Sequence, residues 1–394
     1  MAITFPSAAT TGDLHIEGNK TWRFNGVAWD VAKDLSSYMQ DAKPSEGLAD
    51  TMWMDTSNGS LYYKDDTGVF VGIRGATIKG VTYNSDGHGN NATECMIIGG
   101  QSNTSTYRSN IYKYDVASNS VAAHGNTGGS VARADSAAVS DHSQTMSGGG
   151  FVQGTGEVAN IDMTQFSANT FSIGHGYLNT ATMNNNGGGD ESNALFLGGK
   201  LAGNNRLTTI EKALFSSNTT AAQFGNLDPY TNQGVSNHGV TSDNRNVFLV
   251  GGTTTNGAST IKYYYVSKYS IASQGTYSQL GGITDFGGGD AVSDSVDIIA
   301  VDNVGAHKIS IESGAYTDPA NWTTVANTAN GPWFNFYGAS VGSDAYFFAG
   351  VQDGTTSPGK QDIRKYSFDA STQATWVQDL GANRFGANVA SGTS

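Results

Sequence analysis

A short apolar run that ends at glycine recurs along this chain at nearly even intervals. The first copy is CMIIGG at 95–100, and the later copies read QTMSGG, ALFLGG, VFLVGG, DIIAV (which lacks the glycines) and YFFAG. Counted from Gly99 through positions 148, 198, 251 and 301 to Gly350, the steps are 49, 50, 53, 50 and 49 residues. A period of about 50 residues is typical of solenoids and propellers, so the sequence predicts a repeat protein.

Each repeat contains four segments with the composition of β-strands. The first precedes an aspartate, as in SAAVSD, and the second is the apolar run itself. The third carries aromatics, as in SNIYKYDV, and the fourth is short, as in WTTVA. Four strands repeated six times predict an all-β fold, a six-bladed β-propeller with four-stranded antiparallel blades over residues 76–394. The second strand is apolar throughout because both of its faces are expected to meet neighbouring blades.

The glycines that follow the second strand are interpreted as a blade signature. A backbone that leaves a crowded strand near the shaft needs positive φ or a close approach to another chain segment, and glycine permits both. The residues assigned to this signature are Gly99, Gly100, Gly148, Gly149, Gly198, Gly199, Gly251, Gly252 and Gly350.

The repeat resembles the kelch motif, in which a diglycine follows an apolar strand and an aromatic residue comes later in the unit. Residues 99, 100 and Tyr114 fit this pattern in the first unit, as do 198, 199 and Phe215 in the third. In the last unit Tyr366 and Trp376 occupy the aromatic positions, whereas the fifth unit has Asp302 and Asn303 where the glycines are expected. The resemblance implies a kelch-like propeller.

A propeller must close into a ring, and two segments could supply the missing first strand of the first blade. The C-terminal RFGANVASG matches DFGGGDAVSD, and IKGVTYNSDG, which precedes the first apolar run, resembles it too. Asp86 lies too far from Gly99 to match the turns of the other units. The C-terminal copy is therefore predicted to close the ring.

Residues 1–75 differ from the repeats and contain three of the six tryptophans. Two similar halves are visible, one running from Pro6 and the other from Pro44, and each has an N-G turn between strand-like segments. They predict an N-terminal β module of two hairpin repeats. Between the hairpins, residues 31–42 carry apolar side chains at helical spacing and predict one short helix.

The order W-x-F-N-G-x-x-W at 22–29 resembles the small N-terminal modules of bacteriophage tail-fibre and other virion proteins. The resemblance implies that this module attaches a distal domain to the particle, with other virion proteins as partners. It also implies a homo-oligomer, with a trimer expected by analogy to fibres. The virion-anchoring candidates are Trp22, Phe24, Trp29, Trp53 and Tyr62.

Composition excludes several classes of partner. The formal net charge is −13, with no cluster of Lys and Arg, so nucleic acid is not an expected partner. No run approaches the ~18 apolar residues of a membrane span, and no secretory signal is recognised, so neither membrane insertion nor export is expected. The single cysteine, Cys95, cannot form an internal disulfide and is expected to be a buried small hydrophobe.

The sequence offers no constellation typical of an enzyme. The seven histidines have no pair at i, i+4, and no phosphate-binding loop, C-x-x-C or G-x-S-x-G occurs. The segment from Ser367 to Trp376 resembles a sialidase Asp-box, but it lacks the glycine and occurs once. We therefore expect no enzymatic activity, no cofactor, no catalytic residue and no metal site.

One set of acidic residues has two interpretations. An aspartate follows the first strand in successive units, which suggests either a ring of carboxylates that binds Ca²⁺ or a polar ligand, or a turn residue that bonds its own backbone. The turn interpretation is favoured because it explains every copy without a partner. The residues are Asp141, Asp190, Asp243, Asp294 and Asp344.

These observations predict a structural protein of a bacteriophage virion, a tail fibre or a head or tail appendage. The propeller would be displayed for adsorption to a host-surface glycan or protein, and loop aromatics such as Tyr107, Tyr177 and Tyr337 suit sugar stacking. Two alternatives stay open: a purely architectural subunit such as a nozzle, adaptor or capsid decoration with no host ligand, and a propeller glycosidase. The expected location is the tail or capsid surface of the virion, after synthesis in the host cytoplasm.

Overall fold

Every regular element in the described part of the chain is a β-strand. The structure is a computed structural model, and it describes residues 10–11, 14–17, 20–24, 26–32, 38–40, 52–55, 61–64, 70–72, 77–78, 81–82, 92–103, 106–126, 132–168, 171–202, 205–217, 220–227, 234–243, 246–256, 259–263, 265–273, 277–282, 289–294, 297–302, 306–311, 323–326, 333–334, 337–342, 344–348, 351–352, 360–368, 375–384 and 386–392.

Six antiparallel sheets are arranged in a ring like a six-bladed β-propeller, which confirms the predicted fold class. From the shaft outward, the blades are: blade 1, β41 (Asn388–Gly392), β10 (Glu94–Ile98), β13 (Asn110–Asp115), β14 (Ser120–Asn126); blade 2, β16 (Ala137–Ser140), β17 (Gln144–Gly148), β19 (Gly156–Gln165), β20 (Phe171–Thr182); blade 3, β21 (Asn186–Gly189), β22 (Asn193–Leu197), β23 (Thr209–Leu214), β24 (Ala222–Asn226); blade 4, β25 (Gly239–Ser242), β26 (Asn246–Val250), β29 (Tyr265–Ser270), β30 (Tyr277–Gly282); blade 5, β31 (Gly289–Ser293), β32 (Asp297–Asp302), β33 (Ala306–Ser310), β34 (Thr323–Ala326); blade 6, β36 (Tyr337–Val341), β37 (Asp344–Phe348), β39 (Lys360–Ser367), β40 (Thr375–Arg384).

Short accessory strands extend several blades beyond the second strand. They pair with one another or with the segment that leads into an inner strand, and β15 and β18 join blade 2 through β19. The accessory strands are β11 (Gln101–Asn103) with β12 (Thr106–Tyr107), β15 (Arg133–Ala134) with β18 (Phe151–Val152), β27 (Thr253–Asn256) with β28 (Ser259–Lys262), and β35 (Trp333–Phe334) with β38 (Val351–Gln352).

The C-terminal strand closes the ring. Strand β41 pairs antiparallel with β10, so that Ser391 lies opposite Cys95 and Val389 opposite Ile97. The rival segment before the first apolar run instead contributes β8 (Thr77–Ile78) and β9 (Val81–Thr82), which pair with each other. The predicted closure by the C-terminal segment is therefore what the structure shows.

The hydrophobic core is divided into six clusters, and each lies between two adjacent blades. Side chains alternate along the second strands, so Cys95 and Ile97 pack toward blade 6 while Met96 and Ile98 pack toward blade 2. The other four clusters join blades 2 and 3, 3 and 4, 4 and 5, and 5 and 6. Because each blade buries both faces against a neighbour, the second strands are apolar throughout.

Diglycines make contacts from one blade to the next. The first glycine of each pair has φ of 56–72° and the second has φ of 96–118° at 99/100, 149/150, 198/199 and 251/252. The second glycine donates its N–H to a carbonyl that leads into the next blade, at Arg133, Thr182 and Val235 in the first three cases. A Cβ on Gly99 would lie 2.3 Å from the carbonyl oxygen of Arg133, so positive φ and close approach both require glycine.

The second signature pair was placed one residue too early from the sequence. Gly148 is the last residue of β17, and it is small because a Cβ there would lie 2.5 Å from the ring of Phe196 in blade 3. The pair with positive φ is Gly149 and Gly150. Gly350 lies outside the described residues.

The N-terminal strands form two separately hydrogen-bonded sheets. The first, with order β1-β2-β3, comprises β1 (Leu14–Glu17), β2 (Lys20–Phe24) and β3 (Trp29–Ala32), and the second, with order β4-β5-β6-β7, comprises β4 (Tyr38–Gln40), β5 (Met52–Asp55), β6 (Leu61–Lys64) and β7 (Phe70–Gly72). The helix predicted over 31–42 is wrong where the structure describes that segment, because 38–40 form a strand parallel to β5. Edge pairing has overridden the local helical spacing.

Replacing Gly198 with alanine should lower the free energy of unfolding by roughly 3 kcal/mol, because the new Cβ adds a clash to a strained φ. It would lie 2.4 Å from the carbonyl oxygen of Val235. Gly154→Ala is the matched control, since its φ is +81° but no atom lies within 4 Å of a Cβ. The control should cost only about 1 kcal/mol. Urea unfolding measures both, and equal losses would contradict the role in blade contact.

Ending the chain after Ala387 should expose Cys95 to a thiol reagent, because the shortened chain lacks the strand that lies beside it. In the intact ring Cys95 has no exposed surface, and burial raises the pKa of its thiol. The expected result is fast modification of the shortened chain and slow modification of the full chain. Removing only residues 393–394 keeps β41 and should leave the thiol protected. Protection in both truncations would argue against closure by β41.

Candidate binding site in the central shaft

The six inner strands line a central shaft in stacked rings of equivalent residues. A cavity of about 110 Å³ opens at one end, lined by three residues from each inner strand. Its outermost ring, here the serine ring, is formed by Ser140, Gly189, Ser242, Ser293, Ser340 and Ser391. The two deeper rings, here the apolar wall, contain Ala138, Val139, Gly187, Gly188, Val240, Thr241, Ala291, Val292, Gly338, Ala339, Val389 and Ala390.

Small residues line the shaft because the blades converge there. A Cβ on Gly187 would lie 2.5 Å from Cγ2 of Val139, and one on Gly338 would lie 2.7 Å from Cγ1 of Val292. Neighbouring inner strands therefore approach more closely than two ordinary side chains would allow. This crowding selects Gly, Ala and Ser, and it leaves the shaft narrow.

The serine ring presents hydroxyl groups that are free to bond a ligand. Ser140 Oγ accepts a hydrogen bond of 2.8 Å from the backbone N–H of His142. Within the described part of the chain, no hydrogen bond is made by the hydroxyls of Ser242, Ser340 and Ser391, all half-buried at the cavity. Each hydroxyl can donate one hydrogen bond and accept two, so the ring suits a neutral, hydrogen-bonding ligand.

Aspartates just beyond the serine ring fix the turns between the first and second strands. Asp141 Oδ1 accepts backbone N–H groups at 3.0 Å from Ser143 and 2.9 Å from Gln144. Asp190 and Asp243 repeat this pattern, with Asn193 and Asn246 as donors, and Asp294 accepts the N–H of Asp297 at 2.7 Å. These contacts agree with the turn interpretation.

Asp344 does not belong to that set, contrary to the prediction. It is the first residue of β37, and its equivalents in blades 1 and 5 are Glu94 and Asp297. In each of these three blades the carboxylate pairs with a lysine of the third strand, at 2.6 Å for Asp344 and Lys365. A two-residue offset in the sixth unit placed a strand residue at the turn position in the sequence pattern.

A buried polar pair lies across the shaft just beneath the apolar wall. Asn186 Nδ2 donates to Asp290 Oδ1 at 2.8 Å, and the N–H of Gly338 donates to Oδ2 at 2.6 Å. Asp290 is only 3% exposed, and this burial raises the pKa of its carboxyl group to about 7. Here the pair is called the plug, because it limits the depth that a ligand can reach.

A ring of backbone hydrogen bonds beneath the plug was missed in the sequence. Asp135, Asn184, Asn237 and Gly386 each precede an inner strand by two residues and have φ of 50–60°. The N–H of each of the first three donates to the carbonyl of its counterpart in the preceding blade, at 2.9, 2.7 and 3.2 Å. The available signal was that Asp, Asn or Gly, the residues that tolerate positive φ, stands at this position in all six units.

The virion-anchoring candidates lie in both N-terminal sheets. Trp22, Phe24 and Trp29 are half-buried in the first sheet, where Phe24 and Trp29 form a cross-strand pair with ring centroids 5.4 Å apart. Trp53 is buried in the second sheet, where its backbone is paired with that of Tyr62. The side chain of Tyr62 lies outside the described part of the chain.

The aromatic residues considered for sugar stacking are not brought together. Tyr107 packs against Phe151 with ring centroids 5.7 Å apart, and Tyr177 is half exposed on β20. Tyr337 is not in a surface loop but begins β36, beside the plug. Burial first, and then the nearby carboxylates of Asp135 and Asp290, raise the pKa of Tyr337.

Among the described residues, no group of three or more His, Cys, Asp or Glu side chains could hold a metal ion. The same part of the chain contains no helix long and apolar enough to span a membrane. No protein-family model matches this chain, and no curated protein matches it either. The shaft, its serine ring and its plug therefore have to be interpreted from their own chemistry.

The stability of the protein should fall as the pH rises from about 4 to about 7, because the folded pKa of Asp290 exceeds its ordinary value of 3.8. Over this range the unfolded chain is ionised while the buried carboxyl keeps its proton, so folding takes up a proton and is progressively penalised. The full penalty is on the order of 4 kcal/mol. Below pH 3.8 the contribution vanishes, and above pH 7 it is constant.

Urea unfolding at pH 5 and pH 8 measures this slope. In Asp290→Asn most of the slope should disappear, because asparagine does not titrate. A smaller slope of the same sign should remain, because partial burial raises the pKa of Asp135 to about 6. An unchanged slope in the variant would contradict the assignment to Asp290.

Proposed function

We propose that this chain is a structural protein of a tailed-bacteriophage virion that displays its propeller for adsorption to a host-surface glycan. The observation that carries the adsorption part is the open end of the shaft. There, unpartnered serine hydroxyls surround a cavity with an apolar wall. Small-molecule sites combine an apolar lining with a few placed polar groups, and this end of the shaft has both.

The virion part of the proposal is supported by the first sheet and its resemblance to phage attachment modules. A three-stranded sheet this small buries little apolar surface by itself, so its aromatic side chains favour contact with a larger body. Val27 at the turn of this sheet is 90% exposed. Other virion proteins are the partners we propose for this module, with several copies per particle, three if it follows the fibre analogy.

The ring of blades supports display rather than catalysis. Six inter-blade clusters hold the blades rigidly, while loops at both ends can vary without disturbing them. The turn aspartates are engaged by their own backbones, so they do not supply the paired acid and base that a glycosidase needs. We therefore propose binding without bond cleavage.

A purely architectural role in the virion is the second candidate, and one observation favours it. Large apolar side chains are exposed on the outer parts of blades 2, 3 and 4, and these are Ile173, Tyr177, Leu214 and Tyr265. Exposed apolar side chains of this kind can mark contacts with other proteins.

Changing both Trp22 and Trp29 to alanine should prevent incorporation of the chain into phage particles, because it removes two of the aromatic rings of the first sheet. Tyr265→Ala is the matched control, since it removes a 40% exposed aromatic ring from blade 4. Particles assembled in cells that supply each variant are purified and probed for the chain. Normal incorporation of the double variant would contradict attachment through this sheet.

The same variants separate adsorption from architecture. Purified wild-type chain should compete with phage for host cells, and the Trp22/Trp29 double variant should compete equally well because its propeller is intact. If neither chain reduces adsorption, the architectural role is favoured.

A further inference from the structure

We propose that the serine ring binds the terminal residue of a neutral glycan that carries an acetyl or methyl substituent. This inference rests on the proposed adsorption function and names the chemistry of its ligand. The glycan enters the open end of the shaft, its hydroxyls bond the serines, and its apolar substituent enters the apolar wall.

The hydrogen-bonding groups at the mouth select a neutral partner. Ser242, Ser340 and Ser391 come from three different blades, so their hydroxyls approach the shaft from separate directions. A sugar ring presents hydroxyls around its whole edge and can therefore bond several of them at once. Hydroxyl donors and acceptors match sugar hydroxyls without any charge.

The wall beneath the serines selects an apolar substituent. Val139, Val240, Val292 and Val389 contribute methyl groups to the two deeper rings, together with alanines and glycines. A polar group placed there would lose its hydrogen bonds to water, whereas an acetyl or ring methyl would not. The wall accordingly favours an acetamido or 6-deoxy sugar over a simple hexose.

The plug limits the ligand to one sugar residue. Asn186 and Asp290 bond each other across the shaft directly below the wall, at 2.8 Å. A cavity of about 110 Å³ above this pair has room for a single ring and its substituent. Only a chain end or a side branch can enter, so the interior of a linear polysaccharide is excluded.

The charge around the mouth excludes acidic sugars. Asp141, Asp190 and Asp243 follow the serine-ring positions of their blades by one residue and remain half-exposed. Their carboxylates accept hydrogen bonds from their own turns, and the chain carries a formal net charge of −13. A uronic or sialic acid at this mouth would meet repulsion from several carboxylates.

The test measures binding of simple methyl glycosides to the full chain by saturation-transfer NMR and titration. The probes are methyl N-acetylglucosaminide, methyl rhamnoside as the 6-deoxy sugar, methyl glucoside and methyl glucuronide. At least one of the first two should bind with a Kd on the order of millimolar. The glucoside should bind more weakly than that probe, and the glucuronide should not bind.

Three substitutions locate the site. Ser242→Ala and Ser340→Ala should each raise Kd about fivefold, because each removes one hydroxyl without adding volume. Ser340→Leu should abolish binding by filling the mouth. Ser278→Ala, on the exposed outer strand of the same blade as Ser242, is the matched control and should leave Kd unchanged.

The outcomes also separate this proposal from the adsorption function. Binding that is insensitive to both serine-to-alanine changes, or a glucuronide that binds as well as the neutral probes, would overturn it. Failure of both substituted probes to bind, in a chain that still competes with phage for host cells, refutes the shaft site and leaves adsorption standing. A chain that binds the probes through the serines but does not compete for cells supports the site and counts against adsorption.

Discussion

The contact between a diglycine and the carbonyl that leads into the next blade is the constraint on which the ring depends. At Gly99 and Gly198 that carbonyl oxygen lies where a Cβ would otherwise be, and the following glycine donates its N–H to it. This spacing sets how closely blades meet, and so how narrow the shaft becomes. The inner strands are therefore lined by Gly, Ala and Ser, and the hydroxyls at the mouth lie within reach of one small ligand.

The overall architecture could be predicted from the sequence because its cause is repeated. Every blade needs a second strand that is apolar on both faces, so the pattern returned about every 50 residues even in the unit with Asp302 in place of glycine. Closure by the C-terminal segment was predicted for the same reason. The failures arose where one residue of register decides the outcome. Gly148 and Gly149 are indistinguishable in sequence, and Asp344 was displaced by two positions from the turn it seemed to occupy.

The shaft could not be predicted, because nothing in its composition looks functional. Ser140, Ser242 and Ser340 are ordinary strand residues until six strands place them in one ring. The plug depends on Asn186 and Asp290, which are 104 residues apart and meet only across the assembled shaft. The helix predicted over 31–42 failed for a related reason: local spacing carries no information about the parallel partner of 38–40.

Closure of the first blade by the last strand has a consequence for biosynthesis. During translation, β10 emerges early but lacks its inner neighbour until residues 388–392 have been made. Five blades can assemble in order behind the ribosome, while Cys95 and the strand around it wait without a cover. The circle locks only after release of the finished polypeptide, so premature termination near the 3′ end of the message yields an open arc with a sticky edge rather than a slightly shorter propeller.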